Sequence, residues 1–98
     1  MMDNIDMSKI KSYENELYEV ILKLKTLEDC YAFFRDLCTP AEIKAMQERW
    51  HVAQLLHAGD LSYRDIYNRT GVSISTIGRV ARFLKHEPYG GYRKILSK

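Results

Sequence analysis

Gly71 constrains this chain more than any other residue. It is the ninth residue of the segment Tyr63–Arg82, which reads YRDIYNRTGVSISTIGRVAR. Apolar residues hold the fourth, tenth, fifteenth and eighteenth places: Ile66, Val72, Ile77 and Val80. Glycine takes up the positive φ of a tight turn at no steric cost. Four apolar residues at that spacing lock two short helices against each other at a steep angle. This pattern predicts a helix-turn-helix over about residues 62–85. Tyr67, at the fifth place, departs from it, because a small residue is usual there.

The rest of the chain is also patterned as helix, with no convincing strand, repeat or Pro/Gly-rich linker. Ile10, Tyr13, Leu17, Val20, Ile21, Leu24 and Leu27 keep to one helical face. Thr26 then reads as a new N-cap, with Asp29 placed to reach back to it. Leu27, Cys30, Tyr31, Phe33, Phe34, Leu37 and Cys38 form a second, wider apolar face. Thr39-Pro40-Ala41-Glu42 starts a third helix: Thr39 accepts a bond from a free N–H, Pro40 fits the first helical position, and Glu42 completes the capping box. That helix carries Ile43, Met46, Trp50, Val52, Ala53, Leu55 and Leu56, apolar on more than one side, and Gly59 ends it. Ser62 and Asp65 open a fourth helix. A fifth starts near Ser73 or Ser75 and runs to about Lys85, before Pro88 and the Gly90-Gly91 pair. Tyr92 to Leu96 allow one more short turn or helix. The expectation is a single all-α domain over residues 1–98, with five to six helices. The third helix has more apolar surface than 98 residues can cover alone, which predicts a homodimer.

Charge is segregated. Residues 1–60 hold seven Lys/Arg and eleven Asp/Glu, a net of −4, whereas residues 61–98 hold eight and two, a net of +6. A basic final third that contains a helix-turn-helix points to double-stranded DNA as the partner. In that geometry the second helix enters the major groove by its N-terminal residues. Those residues are Ser73, Ile74, Ser75, Thr76 and Gly78. Hydroxyls bond to bases or phosphates, and Ile74 meets a thymine methyl. Arg64, Arg69, Arg82 and Lys85 are placed for the DNA backbone, and Arg64 also for base readout; the alternative for each is a solvated surface. The motif also serves some proteins that bind only other proteins.

Other chemistry finds little support. There is no phosphate-cradling glycine loop and no nucleophile beside a base. Cys30 and Cys38 lie eight apart in a helical pattern, which makes neither a metal motif nor a disulfide framework. They read as two buried thiols in a reducing cytosol. His51, His57 and His86 are scattered, so no metal site and no catalytic set is expected. No apolar run suits a membrane span, and Met1-Met2-Asp3-Asn4 does not open a secretory signal. A cytoplasmic protein that is not an enzyme is expected.

On these residues the chain resembles the Trp repressor family from about Tyr13 to Leu96. The resemblance lies in the Thr-Pro-x-Glu start at Thr39–Glu42, Arg49 in the same helix, Leu-Ser-x-Arg at Leu61–Arg64, and Ser-x-x-Thr-Ile-x-Arg at Ser73–Arg79. It implies a repressor that acts as a homodimer, with intertwined N-terminal helices and two reading heads. A second, cruder resemblance is to the last DNA-binding region of bacterial sigma factors. That region shares the Thr-Pro-x-Glu start but lacks the long amphipathic helices before Thr39.

The family resemblance also implies a ligand pocket at Thr39, Arg49 and Arg79, where two arginines flank a flat amino acid and hold its carboxylate. The chain departs from the family there. Val80 stands where the family has glycine and Phe83 where it has serine. A branched Val80 would narrow the slot, and Phe83 removes a hydroxyl and fills the indole space. No tight tryptophan binding and no obligatory cofactor are therefore expected, and another small effector stays open.

Overall fold

The computed structural model describes residues 12–97. Ile10 and the Met1–Asn4 stretch lie outside the described residues. Six helices follow one another, with no strand among the described residues: α1 Ser12–Ile21, α2 Leu27–Leu37, α3 Pro40–Ala58, α4 Tyr63–Thr70, α5 Ile74–Lys85 and α6 Gly91–Leu96.

The helix starts are set by local hydrogen bonds. At α3 the Glu42 N–H donates to the Thr39 hydroxyl (3.1 Å) and the Thr39 N–H donates to Glu42 Oε1 (2.8 Å). At α4 the Asp65 N–H donates to Ser62 Oγ (3.1 Å) and the Ser62 N–H donates to Asp65 Oδ2 (3.2 Å). Each box satisfies two donors that a helix start otherwise leaves orphaned. Thr26 caps α2 by accepting from the Asp29 N–H (2.9 Å), but the Asp29 carboxylate accepts from the Lys25 N–H (3.2 Å), not from that of Thr26.

The first helix is shorter than its apolar face suggests. It ends at Ile21, and the backbone tightens through bonds from the Lys23 N–H to the Val20 carbonyl (3.0 Å) and from the Leu24 N–H to the Ile21 carbonyl (3.1 Å). Leu24 falls in the connection and Leu27 opens α2. The spacing stays in phase across the break because Thr26 restarts a helix, not because the helix continues.

The core lies between α3 and α6. Val52, Ala53 and Leu56 of α3 meet Ile66 of α4, Val72 of the turn, and Ile77, Val80, Ala81 and Leu84 of α5. Tyr92 and Leu96 of α6 pack against the cluster. All four residues of the lock, Ile66, Val72, Ile77 and Val80, are buried. Tyr67 is tolerated at the fifth place because its side chain turns outward, 45% exposed. Gly71 has φ +74°, and its N–H donates to the Tyr67 carbonyl (2.8 Å). The Thr70 hydroxyl fastens the turn, donating to the Ile66 carbonyl (2.7 Å) and accepting from the Val72 N–H (3.1 Å).

A Cβ at Gly71 would meet nothing within 4 Å, so the cost of replacing it is in the backbone alone. Gly71→Ala is expected to lower stability by about 1–2 kcal/mol, the penalty of a left-handed residue. Urea denaturation would show this as a lower midpoint at unchanged slope.

By contrast, α1 and α2 contribute no buried residue. Tyr13 is 84% exposed, Leu27 87% and Tyr31 66%. The excess of apolar surface thus sits mainly on these two helices. In α3 the surface is divided: Met46 and Trp50 stay partly open, while Val52, Ala53 and Leu56 close the core. Cys30 and Cys38 are free thiols and half-buried, not fully buried.

Candidate nucleic-acid interface

The candidate interface begins at the start of α5. Ser73 is its N-cap: its Oγ accepts from the Thr76 N–H (3.1 Å) and lies 3.1 Å from Thr76 Oγ1, to which it donates. Its hydroxyl is therefore engaged in holding the helix start. Ile74, 47% exposed, and Ser75, also exposed, stand free at the first turn. Thr76 is half-buried. One turn on, a Cβ at Gly78 would meet nothing within 4 Å, so a ligand can approach the bare backbone there. Ile77, Val80, Ala81 and Leu84, on the opposite face, anchor the helix in the core. The helix is thus rigidly mounted with its polar start outward.

Arg64 and Arg69 are exposed on α4, and Lys85 is exposed at the end of α5. Arg82 is different. Its Nε donates to Glu87 Oε2 at 2.6 Å, and its guanidinium lies 5.5 Å from the centre of the Phe83 ring. Glu87 belongs to the connection after α5 and was not singled out from sequence. No periodic pattern relates it to Arg82. A carboxylate five residues past an arginine at a helix end is the only signal the sequence holds.

No described cavity is lined by more than one of the three residues of the implied ligand pocket. Thr39 caps α3 with its hydroxyl. Arg49 is half-buried on α3. Arg79 lines a cavity of about 320 Å³ with Phe83, Tyr89, Gly90, Gly91 and Tyr92, and neither Thr39 nor Arg49 lines it. The Arg79 guanidinium sits 4.3 Å from the centre of the Phe83 ring, which in turn stacks on Tyr89 at 6.4 Å. Phe83 therefore stacks on one face of the Arg79 guanidinium. The Val80 side chain is fully buried in the core, and it is not among the residues that line this cavity.

Among the described residues no group of three or more His, Cys, Asp or Glu could hold a metal ion. No helix there is long and apolar enough to cross a membrane. Tyr18 on α1 keeps its proton above the usual tyrosine range, because its hydroxyl donates to Glu14 (2.6 Å). Both residues belong to α1, not to the helix-turn-helix.

The family model of the Trp repressor protein matches residues 13–98. The chain belongs to the Trp repressor family. It is 42% identical over 83 residues to protein YerC of Bacillus subtilis, covering 84% of this chain and 79% of that one. It is 36% identical over 70 residues to a Trp operon repressor homolog of Chlamydia caviae, covering 71% and 69%. A crystal structure of a TrpR like protein from Eubacterium eligens superposes with a TM-score of 0.84 at 35% identity, over 94% of this chain and 93% of that one. Membership of the Trp repressor family makes this protein a DNA-binding regulator and not an enzyme.

Proposed function

We propose that this Trp repressor family member is a cytoplasmic, sequence-specific repressor that binds duplex DNA as a symmetric dimer. The observation that carries the reading is the start of α5: Ile74 and Ser75 project freely from a helix whose other face is locked in the core. Ser75 and Arg64 read base edges, Ile74 meets a thymine methyl, and Ser73 and Thr76 hold the helix end at a phosphate. Selection from random duplexes tests this. An enriched sequence with two related halves is expected. A pool that stays random would favour a reading in which the motif binds protein.

The dimer is supported by α1 and α2. Burying a large apolar side chain contributes roughly 1.5–3 kcal/mol, and Tyr13, Leu27 and Tyr31 are left largely exposed by the described residues. A second copy covers them and sets two reading heads about one DNA turn, ~34 Å, apart. Sedimentation at micromolar concentration should give twice 11.5 kDa; a single-chain mass would contradict the dimer.

Glu87 holds back one DNA contact. Its carboxylate takes the Arg82 Nε–H and offsets that residue's charge, so the remaining guanidinium donors meet a phosphate with less attraction. Glu87→Gln is expected to strengthen DNA binding about two- to fivefold, the scale of an exposed ion pair. It should also steepen the dependence of log K on log salt by about 0.9, one further phosphate neutralised. A fluorescence anisotropy titration at several salt concentrations measures both.

Binding does not depend on tryptophan in this reading, which is supported by Phe83 stacking on one face of Arg79, where it competes with a flat ligand. A ligand at 100 times its Kd adds about 2.7 kcal/mol. For a domain of this size that raises Tm by more than about 10 °C. Melting in millimolar L-tryptophan should instead leave Tm essentially unmoved, and DNA affinity with it.

A further inference from the structure

A second cavity, of about 410 Å³, lies at the other end of α5. Leu56 and His57 come from the last turn of α3, Leu84 and Lys85 from the last turn of α5, and Arg93 and Ser97 from α6 and its C-cap. Leu56 and Leu84 belong to the buried core, so the floor is apolar. The rim carries two cations, Lys85 and Arg93, with the His57 imidazole beside them. No carboxylate of the described residues lines it, and none of these three basic groups has an ion-pair partner among those residues.

Arg93 is fixed at this place. Its Nη1 donates to the Leu84 carbonyl at 2.7 Å, which ties α6 to the end of α5. A guanidinium has five N–H donors, so others remain for a ligand. Two like charges held beside one cavity repel each other, and an anion between them turns the repulsion into attraction. The volume suits a small organic molecule, since such sites run from about 300 to 1,000 Å³.

We propose that this cavity binds a small amphipathic anion. A carboxylate or phosphate head pairs with Lys85 and Arg93 and takes a hydrogen bond from His57, and a short apolar body lies over Leu56 and Leu84. The apolar floor distinguishes the site from a DNA backbone contact, which has no apolar body to bury. The site shares no lining residue with the cavity at Arg79. It does not rest on the DNA-reading proposal, and its occupant is read out without DNA. Because its walls are the ends of α3, α5 and α6, the occupant fixes the foot of the helix that carries Ser75 at its head.

The test is an amide NMR titration of the full-length protein with hexanoate and with hexyl phosphate. Hexanol supplies the body without the head, and inorganic phosphate a head without the body. Saturable shifts are expected at the amides of Leu56, Leu84 and Ser97 with at least one of the two amphipathic anions, and the tighter of them identifies the head. Both controls should bind more weakly. Lys85→Gln should weaken the anion about three- to tenfold, the loss of one partly exposed charge-assisted hydrogen bond. Lys44→Gln, at an exposed residue paired with Glu48 away from the cavity, should leave it unchanged. The proposal is overturned if neither anion saturates by about 10 mM, if either control binds as tightly, or if Lys85→Gln changes nothing.

Discussion

Ile77→Ala is expected to cost the fold about 2–5 kcal/mol, the range for emptying a fully buried aliphatic site. Ile77 has no exposed surface and lies in the cluster where α3, α4 and α5 meet. Small domains are stable by only about 5–15 kcal/mol, so the variant should melt far below the parent or not fold at all. Ile66→Ala, equally buried on α4, should act alike. Ile74→Ala is the contrast. Its side chain is largely open, so stability should change by only about 0.5 kcal/mol, as for a surface substitution, while DNA binding falls. Thermal melts of the three variants separate the anchored face of α5 from its free face.

Ser75→Ala is the complementary case, with a large effect on recognition and a small one on folding. Ser75 is exposed at the first turn of α5, and its hydroxyl makes no bond within the described structure. Losing a base-edge contact costs about 1–3 kcal/mol at the preferred site and relaxes selection there. Gly78→Ala should separate stability and binding further. Its Cβ enters open space, so the helix gains about 0.5–1 kcal/mol from replacing glycine, yet the added methyl stands on the face proposed to meet DNA. Affinity for DNA should fall while the melting temperature rises. A fall in both would mean that Gly78 serves the fold and not the interface.

The features legible in the sequence were those whose causes are local or strictly spaced. The capping boxes at Thr39–Glu42 and Ser62–Asp65 depend on residues three apart, and both form as read. The lock of Ile66, Val72, Ile77 and Val80 depends on where a glycine turn puts two helix faces, and all four are buried. The end of α1 was not legible, because apolar spacing records a face and not the backbone bonds beneath it. Leu24 and Leu27 kept the phase after the helix had stopped. Val80 was assigned to both the lock and a ligand slot, and the core took it. The Arg82–Glu87 pair and the Phe83–Tyr89 stack depend on how the chain turns after α5. No periodicity encodes that turn. The cavity at Leu56, Lys85 and Arg93 likewise needs three helix ends to converge, and only the folded chain shows it.

The proposed role of the start of α5 is to read a particular DNA sequence. Its most direct test is the affinity of the protein for the selected duplex and for a scrambled duplex of equal length, across a range of salt concentrations. A preference of at least about 10³ for the selected duplex is expected at physiological salt, with log K falling linearly with log salt for both duplexes. In Ser75→Ala the preference should shrink while the salt slope is kept. Equal affinity for the two duplexes, or binding indifferent to salt, would contradict it.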